Sequence, residues 1–199
     1  MPERTAPAKS ADLPGHSAPA VGFEVPLEML AACHGRVQAQ CATLQRLAAH
    51  LTTHGADRQA QDAAAAVMRY FDTAALHHHA DEEVDLFPAL IESMAGSDAV
   101  CLRELTTSLT TEHRELEQRW RALRTRLEQM ARADAATLPV DDVHGFIALY
   151  ERHIAREEAE LLPLAARLLS DAELDRVGLA MRARRGAVEP KPPSLSSPA

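Results

Sequence analysis

Two segments of this chain repeat one another, and each carries a histidine and a glutamate four residues apart. The first runs from His78 to Glu82 and beyond, the second from His153 to Glu157 and beyond, and both fit H-x-A-x-E-E-x-[DE]-L-[FL]-P. Residues at i and i+4 of a helix lie on one face about one turn apart, so an imidazole and a carboxylate at this spacing can reach one cation. The repeat therefore predicts two related helical hairpins that face each other across a bundle.

The hydrophobic pattern around these segments predicts an all-α fold. Apolar residues recur in steps of three and four, which marks one face of an amphipathic helix. The predicted long helices span about residues 26–53, 57–93, 98–132 and 140–169. A short fifth helix opens with Ser170 and Glu173, which form a capping-box pair, and ends near Gly186. Because short connections favour antiparallel neighbours, we predict an antiparallel up-down-up-down four-helix bundle with a short fifth C-terminal helix.

Segments rich in proline, alanine and serine lie at both ends of the chain. Residues 1–22 and 186–199 hold too little apolar surface to offset the entropy lost on ordering, so we predict that both are flexible tails. Residues 23–185 are long enough for one domain with a sizeable core, and we expect this segment to bind the metal.

Two further histidines, His34 and His113, lie on the inner faces of the first and third predicted helices. Three predicted turns set the heights of the histidines, near Gly55, Gly96–Ser97 and Pro139. His34 and His78 are separated from the first turn by equal numbers of residues, and His78 and His113 are likewise equally far from the second turn. Because each helical residue rises ~1.5 Å, the three histidines are predicted to lie at the same height. The midpoint between His113 and His153 falls near the third turn. Six residues are therefore predicted to meet in one layer: His34, His78, Glu82, His113, His153 and Glu157.

Two carboxylates buried in this layer need a compensating charge. Their desolvation is costly unless an opposite charge pairs with them, and no Lys or Arg lies on the inner faces at this level. Mixed imidazole and carboxylate ligation suits iron, manganese or zinc. Six ligands are too many for one structural zinc ion, so we expect two metal ions bridged by the glutamates, with open positions for a small molecule.

Several other histidines and acids are predicted to lie outside the ligand set. His79 and Glu83 repeat the four-residue spacing but point ~100° away from the seam, which favours a solvated or supporting pair over ligation by His79. Glu112 could support a ligand or line a channel, but packing or solvation is the favoured interpretation. His50 and His54 lie at the far end of the first helix and are excluded by distance.

Composition and charge limit the partners and the location. The net charge of -8 argues against general attraction to nucleic acid or to an anionic membrane. No apolar stretch approaches a membrane span, and the N-terminus lacks the apolar run of a signal peptide. Cys33, Cys41 and Cys101 have no CxxC spacing and are predicted to be small core residues of a reducing compartment. The predicted location is the cytoplasm, and the sequence leaves any protein partner unidentified.

These motifs make the chain similar to the hemerythrin HHE cation-binding family over about residues 26–168. The resemblance rests on the two H-x-x-x-E motifs, the E-E-x-x-L-F-P segment that starts at Glu82, and the single histidines of the first and third helices. It implies a non-haem di-iron centre in which Glu82 and Glu157 bridge the metals and the four histidines are terminal ligands. The chain has Glu117 where oxygen-carrying hemerythrins have a second histidine, and its fourth-helix acid follows at four residues instead of five. These departures favour sensing, iron handling or stress chemistry over oxygen transport.

Three functions remain open at this point. The first is a di-iron protein that binds or senses O2, NO or peroxide, or that handles iron under oxidative or nitrosative stress. The second is a di-iron enzyme that removes peroxide or nitric oxide, which would need a proton donor such as Tyr150 or His79. The third is a structural bundle that holds zinc or no metal. We expect a binding protein rather than an enzyme.

Overall fold

The computed structural model describes residues 22–94, 98–132 and 137–187, and these residues form a helical bundle without strands. Its helices are α1 (Pro26–His54), α2 (Arg58–Phe71), α3 (Ala74–Ala80), α4 (Phe87–Ser93), α5 (Asp98–Ala131), α6 (Val140–Arg156), α7 (Leu162–Leu168) and α8 (Asp171–Arg184). Two π-helical segments, π1 (Asp81–Leu86) and π2 (Glu157–Leu161), join α3 to α4 and α6 to α7. Residues 1–21, 95–97, 133–136 and 188–199 lie outside the described chain, and with them most of both predicted tails and the turn predicted at Gly96 and Ser97.

Four helical rods form the bundle, namely α1, α2 to α4, α5, and α6 with α7. The first rod packs against α2 and α6, and α5 packs against the same two helices, so each rod has two neighbours. The short helix α8 covers one end, where it contacts α1 and π1. The predicted all-α bundle with a fifth C-terminal helix is confirmed.

The second rod is interrupted where the sequence pattern predicted one continuous helix over residues 57–93. It breaks after Phe71, at Asp72 and Thr73. The carboxylate of Asp72 accepts hydrogen bonds from Trp120 Nε1 and Arg124 Nε of α5, both at 2.9 Å. The hydroxyl of Thr73 donates to the carbonyl oxygen of Arg69, a backbone contact that bends helices. Side chains with no hydrophobic periodicity therefore cause the break.

Each copy of the repeat also contains a π turn, which helical periodicity did not predict. The residue after each segment donates its N–H to the carbonyl oxygen of Glu82 or Glu157, five residues back. Pro88 and Pro163 follow at the start of α4 and α7. A proline has no N–H to donate and its ring crowds the carbonyl four residues earlier, so a wider preceding turn relieves that conflict. The proline shared by both repeats was the available signal.

The apolar core is divided in two, and the predicted metal layer lies between the halves. One half contains Phe71, Trp120 and Phe146. The other half contains Leu109 and is joined by Met181 of α8, together with other residues near the ends of the four rods. On every rod the predicted ligands fall between residues of the first half and residues of the second. The polar layer is thus sealed above and below by apolar side chains.

Helix α8 is held against the bundle by close backbone packing. A Cβ atom on Gly178 would lie 2.0 Å from the carbonyl oxygen of Phe23, so only glycine fits there. The helix starts as predicted, because the carboxylate of Glu173 accepts a hydrogen bond from the Ser170 N–H at 2.8 Å.

Candidate metal centre

The structure brings all six predicted ligands together in the buried layer. Four rods contribute: α1 carries His34, the second rod His78 and Glu82, α5 His113, and the fourth rod His153 and Glu157. None of the six residues is more than 2% exposed to solvent. The four histidines therefore lie at one height along the bundle, as the rise per residue had predicted.

The six residues form two overlapping groups whose ligand atoms lie within 4.8 Å of one another. Both groups contain Glu82 and Glu157. The first adds His34 and His78, and the second adds His113 and His153. This arrangement has the form of two cation positions that share two carboxylates.

Three of the four histidines, all but His78, direct Nε2 into the layer. There each Nε2 lies close to an oxygen of Glu157 or to the Nε2 of another histidine. His34 Nε2 lies 3.1 Å from Glu157 Oε2, and His153 Nε2 lies 3.0 Å from Glu157 Oε1. The Nε2 atoms of His113 and His153 are 3.0 Å apart. Two nitrogens bound ~2.1 Å from one cation at a right angle would have about that separation.

The carboxylate oxygens of the layer are close to these rings but are not hydrogen-bonded to them. His78 Nε2 is 3.5 Å from Glu82 Oε1, yet all four oxygens of Glu82 and Glu157 lack a hydrogen-bond partner within the described residues. Buried carboxylates without partners are strongly disfavoured. Donor atoms that approach one another without mutual alignment fit a shared cation, so these residues fit a metal centre.

Three of the four histidines are oriented from outside the layer by a second carboxylate. His34 Nδ1 lies 3.1 Å from Glu158, His113 Nδ1 lies 2.7 Å from Glu83, and His153 Nδ1 lies 2.8 Å from Glu112. These distances allow each Nδ1–H to donate to the acid, which leaves the lone pair on Nε2 facing inward. Carboxylate–histidine pairs of this kind fix the tautomer and orient metal ligands.

The doubled acid in each repeat explains two of these contacts. The first glutamate of each pair, Glu82 or Glu157, faces the interior, and the second reaches a histidine on a neighbouring rod. Glu83 is thus a supporting residue, as one of the two sequence interpretations held. The same role for Glu158 was missed, although the repeated E-E was its signal. Glu112 also supports a histidine, which the sequence interpretation had ranked below packing or solvation.

The electrostatics of the metal-free layer show the same need for positive charge. Burial and the neighbouring Glu157 raise the pKa of Glu82 to about 7. Burial would lower the pKa of His113, but the surrounding carboxylates, led by Glu157, outweigh it and raise the pKa to about 11. Burial lowers the pKa of His78 to about 3. A proton on His113 therefore offsets carboxylate charge that a cation would otherwise compensate.

His79 is not solvated, contrary to one interpretation of the sequence. It is 5% exposed, and its ring stacks on that of His113 with centroids 4.0 Å apart and planes at 12°. Burial lowers its pKa well below the usual range. A ~100° offset from the seam still points into the bundle here, because the layer is wide enough to take two adjacent residues of one helix.

The residues excluded by distance lie away from the layer. His50 Nε2 is 3.1 Å from Asp57, and its ring stacks on that of His54 at the end of α1.

The prediction that the cysteines are core residues was right for Cys33 and Cys41, which are buried, and wrong for Cys101, which is exposed.

The family model of the Hemerythrin HHE cation binding domain matches residues 25–165. The chain belongs to this family. An uncharacterized protein of Haemophilus influenzae (strain ATCC 51907 / DSM 11121 / KW20 / Rd) is 34% identical over 164 residues, which cover 82% of this chain and 92% of that protein. The HHE domain binds cations, typically iron, and the buried His/Glu layer is compatible with that role.

A membrane-spanning element is absent from the described part of this HHE protein. None of its helices there combines the length and apolar character needed to cross a bilayer.

Proposed function

We propose that this chain is a non-haem di-iron protein whose buried centre binds or senses O2, NO or peroxide. The observation that carries the proposal is that two ligand groups share Glu82 and Glu157, whose four oxygens have no hydrogen-bond partner in the described chain. Glutamates placed this way would bridge two cations, and the histidines on either side would be the terminal ligands.

The mixed donor set supports iron as the metal. Four imidazoles and two carboxylates suit iron, with manganese and zinc as the alternatives. The six residues offer eight donor atoms, fewer than two ions that each take roughly six ligands would need. When iron is bound, the remaining positions would allow it to exchange electrons with a small ligand.

Burial supports a small ligand over a larger substrate. Every proposed ligand residue is at most 2% exposed. A diatomic molecule or peroxide is small enough to enter such a buried layer, whereas a drug-sized compound would need a pocket of several hundred Å³ beside it.

The first test is metal quantification with an optical spectrum of the full chain purified in air after expression with ample iron. We expect about two irons per chain and the spectrum of an oxo-bridged ferric pair. Protein that is iron-free and takes up none on reconstitution would contradict the proposal.

Variants test the residues of the centre. His78→Ala and His153→Ala should each abolish full iron loading, because each removes a terminal ligand from one side. His54→Ala is the matched control at the far end of α1 and should load normally. If His54→Ala lost iron as severely as the other two, the layer would not be the metal site.

Ligand binding and turnover are separated on the iron-loaded protein. Titration with NO or peroxide should change the optical spectrum stoichiometrically without sustained consumption of the ligand. Catalytic consumption at a steady rate would instead favour an enzyme that removes these molecules.

A further inference from the structure

The three acids that orient histidines from outside the layer differ in whether an arginine neutralises them. Glu83 pairs with Arg114, and Glu112 lies 3.0 Å from Arg156. Glu158 has no arginine within ion-pair distance among the described residues. One of the three carboxylates directly outside the layer therefore keeps a negative charge that no cationic side chain there compensates.

Glu158 is also the acid of the three that solvent reaches most easily. Its side chain is 49% exposed, against 19% for Glu83 and 25% for Glu112. A negative charge near a site raises the local concentration of cations and speeds their association. A metal ion that approaches the layer is therefore attracted at Glu158, whereas it meets an arginine at each of the other two acids.

A single imidazole ring separates Glu158 from the interior of the layer. Nδ1 of His34 lies 3.1 Å from Glu158 Oε1, and Nε2 of the same ring lies 3.1 Å from Glu157 Oε2. His34 and Glu157 are fully buried, and neither His34 Nε2 nor the two oxygens of Glu157 have a hydrogen-bond partner within the described chain. A cation held at Glu158 is thus one ring away from donor atoms that lack partners.

The histidines of the first cation position are held less firmly than those of the second. At the second position, His113 and His153 each contact an acid that an arginine holds. At the first position, His34 contacts the exposed Glu158, and Nδ1 of His78 lacks a hydrogen-bond partner in the described part of the chain. Since fewer hydrogen bonds must break, the rings of the first position can turn aside at lower cost.

We propose that Fe²⁺ enters the buried layer at Glu158, which captures the ion at the surface and delivers it past the ring of His34 to Glu157. This inference rests on the proposed di-iron function and adds the route by which metal reaches a sealed layer. The first cation position is filled from this side. The second position is then reached through the two shared glutamates, which border both positions.

The test measures how fast the metal-free full chain takes up Fe²⁺ in the absence of oxygen. A colorimetric ferrous chelator, added at set delays after rapid mixing, reports the iron that is still free. Glu158→Gln should slow uptake about tenfold, the lower end of the range for electrostatic steering. The amide removes the charge, but its oxygen can still accept a hydrogen bond from His34 Nδ1.

Glu160→Gln is the matched control for this variant. Glu160 lies in the same π-helical segment, its side chain is 54% exposed, and it is 3.7 Å from Arg156. It should take up iron at the wild-type rate, and both variants should finally load as much iron as wild type. Equal slowing in Glu160→Gln would assign the effect to the net charge of the surface and overturn the proposal.

Glu158→Asp separates the charge of the carboxylate from its contact with His34. Aspartate keeps the charge but is one methylene shorter, so it reaches Nδ1 of His34 less well. Uptake should stay close to the wild-type rate. Slow uptake in Glu158→Asp with normal uptake in Glu158→Gln would mean that Glu158 only orients the ring, which contradicts an entry site.

Glu83→Gln makes the same change at an acid that an arginine holds. Its iron affinity should fall through faster release, with uptake near the wild-type rate. Added salt should slow uptake by wild type and bring it closer to Glu158→Gln, because ions screen the exposed charge. Slowing in Glu83→Gln as large as in Glu158→Gln would refute the route. If wild type loads two irons and Glu158→Gln matches its rate, only this inference fails, whereas a wild type that binds no iron removes the di-iron function as well.

Discussion

At the scale of single residues, the layer is built from two concentric sets of acids. The inner set, Glu82 and Glu157, is fully buried, and the outer set contacts the far side of the histidine rings. Two of the outer acids are themselves held by arginines: Arg114 pairs with Glu83, and Arg156 donates to Glu112 at 3.0 Å. Each arginine–glutamate–histidine series connects a charge near the surface to the orientation of a histidine ring in the layer. A substitution at the arginine can therefore alter metal affinity.

Glu112→Ala tests this outer set. Removing the carboxylate frees the Nδ1 of His153 and lets the ring turn, so we expect metal affinity to fall about 10–100-fold. The measurement is competition with a chelator of known affinity. Glu115→Ala is the matched control, because Glu115 is on the same helix but pairs with Arg119 at the surface. Equal affinities for the two variants would mean that Glu112 does not position the ligand.

At the scale of elements, departures from regular α-helix set the position of the site. The break after α2 lies in the second rod just before α3, which carries His78, the residue spaced four positions from Glu82, and π1 and π2 contain the two inner glutamates. A π turn rotates the following helix relative to the preceding one, which allows the apolar residues of α4 and α7 to reach the core after the histidine and the glutamate of a repeat have faced inward.

Asp72→Ala tests the break in the second rod. It leaves the indole N–H of Trp120, a residue only 7% exposed, without its acceptor. We expect the free energy of unfolding to fall by about 1–3 kcal/mol, the usual effect of stranding a buried donor. Urea denaturation of the metal-free protein measures this value. Asp62→Ala, which removes an exposed acid in α2, should change it little. If Asp62→Ala lowered the free energy of unfolding as much, the effect would come from removing a negative charge and not from the lost hydrogen bond to Trp120.

At the scale of the whole molecule, α8 connects the end of the domain to the metal layer. Arg184 and Arg185 both pair with the carboxylate of Asp81, which is completely buried and precedes Glu82 in sequence. Arg184 also pairs with Asp85 at 2.5 Å. Helix α8 thus stabilises π1, although it contributes no ligand.

Replacing both arginines, Arg184→Ala with Arg185→Ala, should destabilise the metal-free protein by about 3 kcal/mol, because a buried carboxylate is left without a partner. Thermal and urea unfolding measure the loss. Adding Asp81→Asn to the double variant should recover part of the stability by removing the unpaired charge. Arg176→Ala, at an exposed position of α8, is the control. No recovery with Asp81→Asn would show that the pairs do not cause the loss.

Metal removal should destabilise the domain as a whole, since the layer lies between its two cores. Free metal at 100 times its dissociation constant would add about 2.7 kcal/mol if it binds only the folded chain. Melting temperature measured against metal concentration checks this, and His78→Ala should remove most of the increment. A melting temperature that is independent of metal in wild type would contradict a site in this layer.

The sequence by itself determined the bundle, the number of long rods and the six residues of the layer. These follow from local rules: the 3.6-residue period, the four-residue His–Glu spacing and the rise per residue act within one helix. Only the tertiary structure decided the orientation of His79, the partners of Glu158, Glu112 and Asp81, and the shared position of the two inner glutamates. Those depend on which helix faces which and on the π turns, where backbone hydrogen bonding and contacts between rods outweigh the periodicity of a single helix.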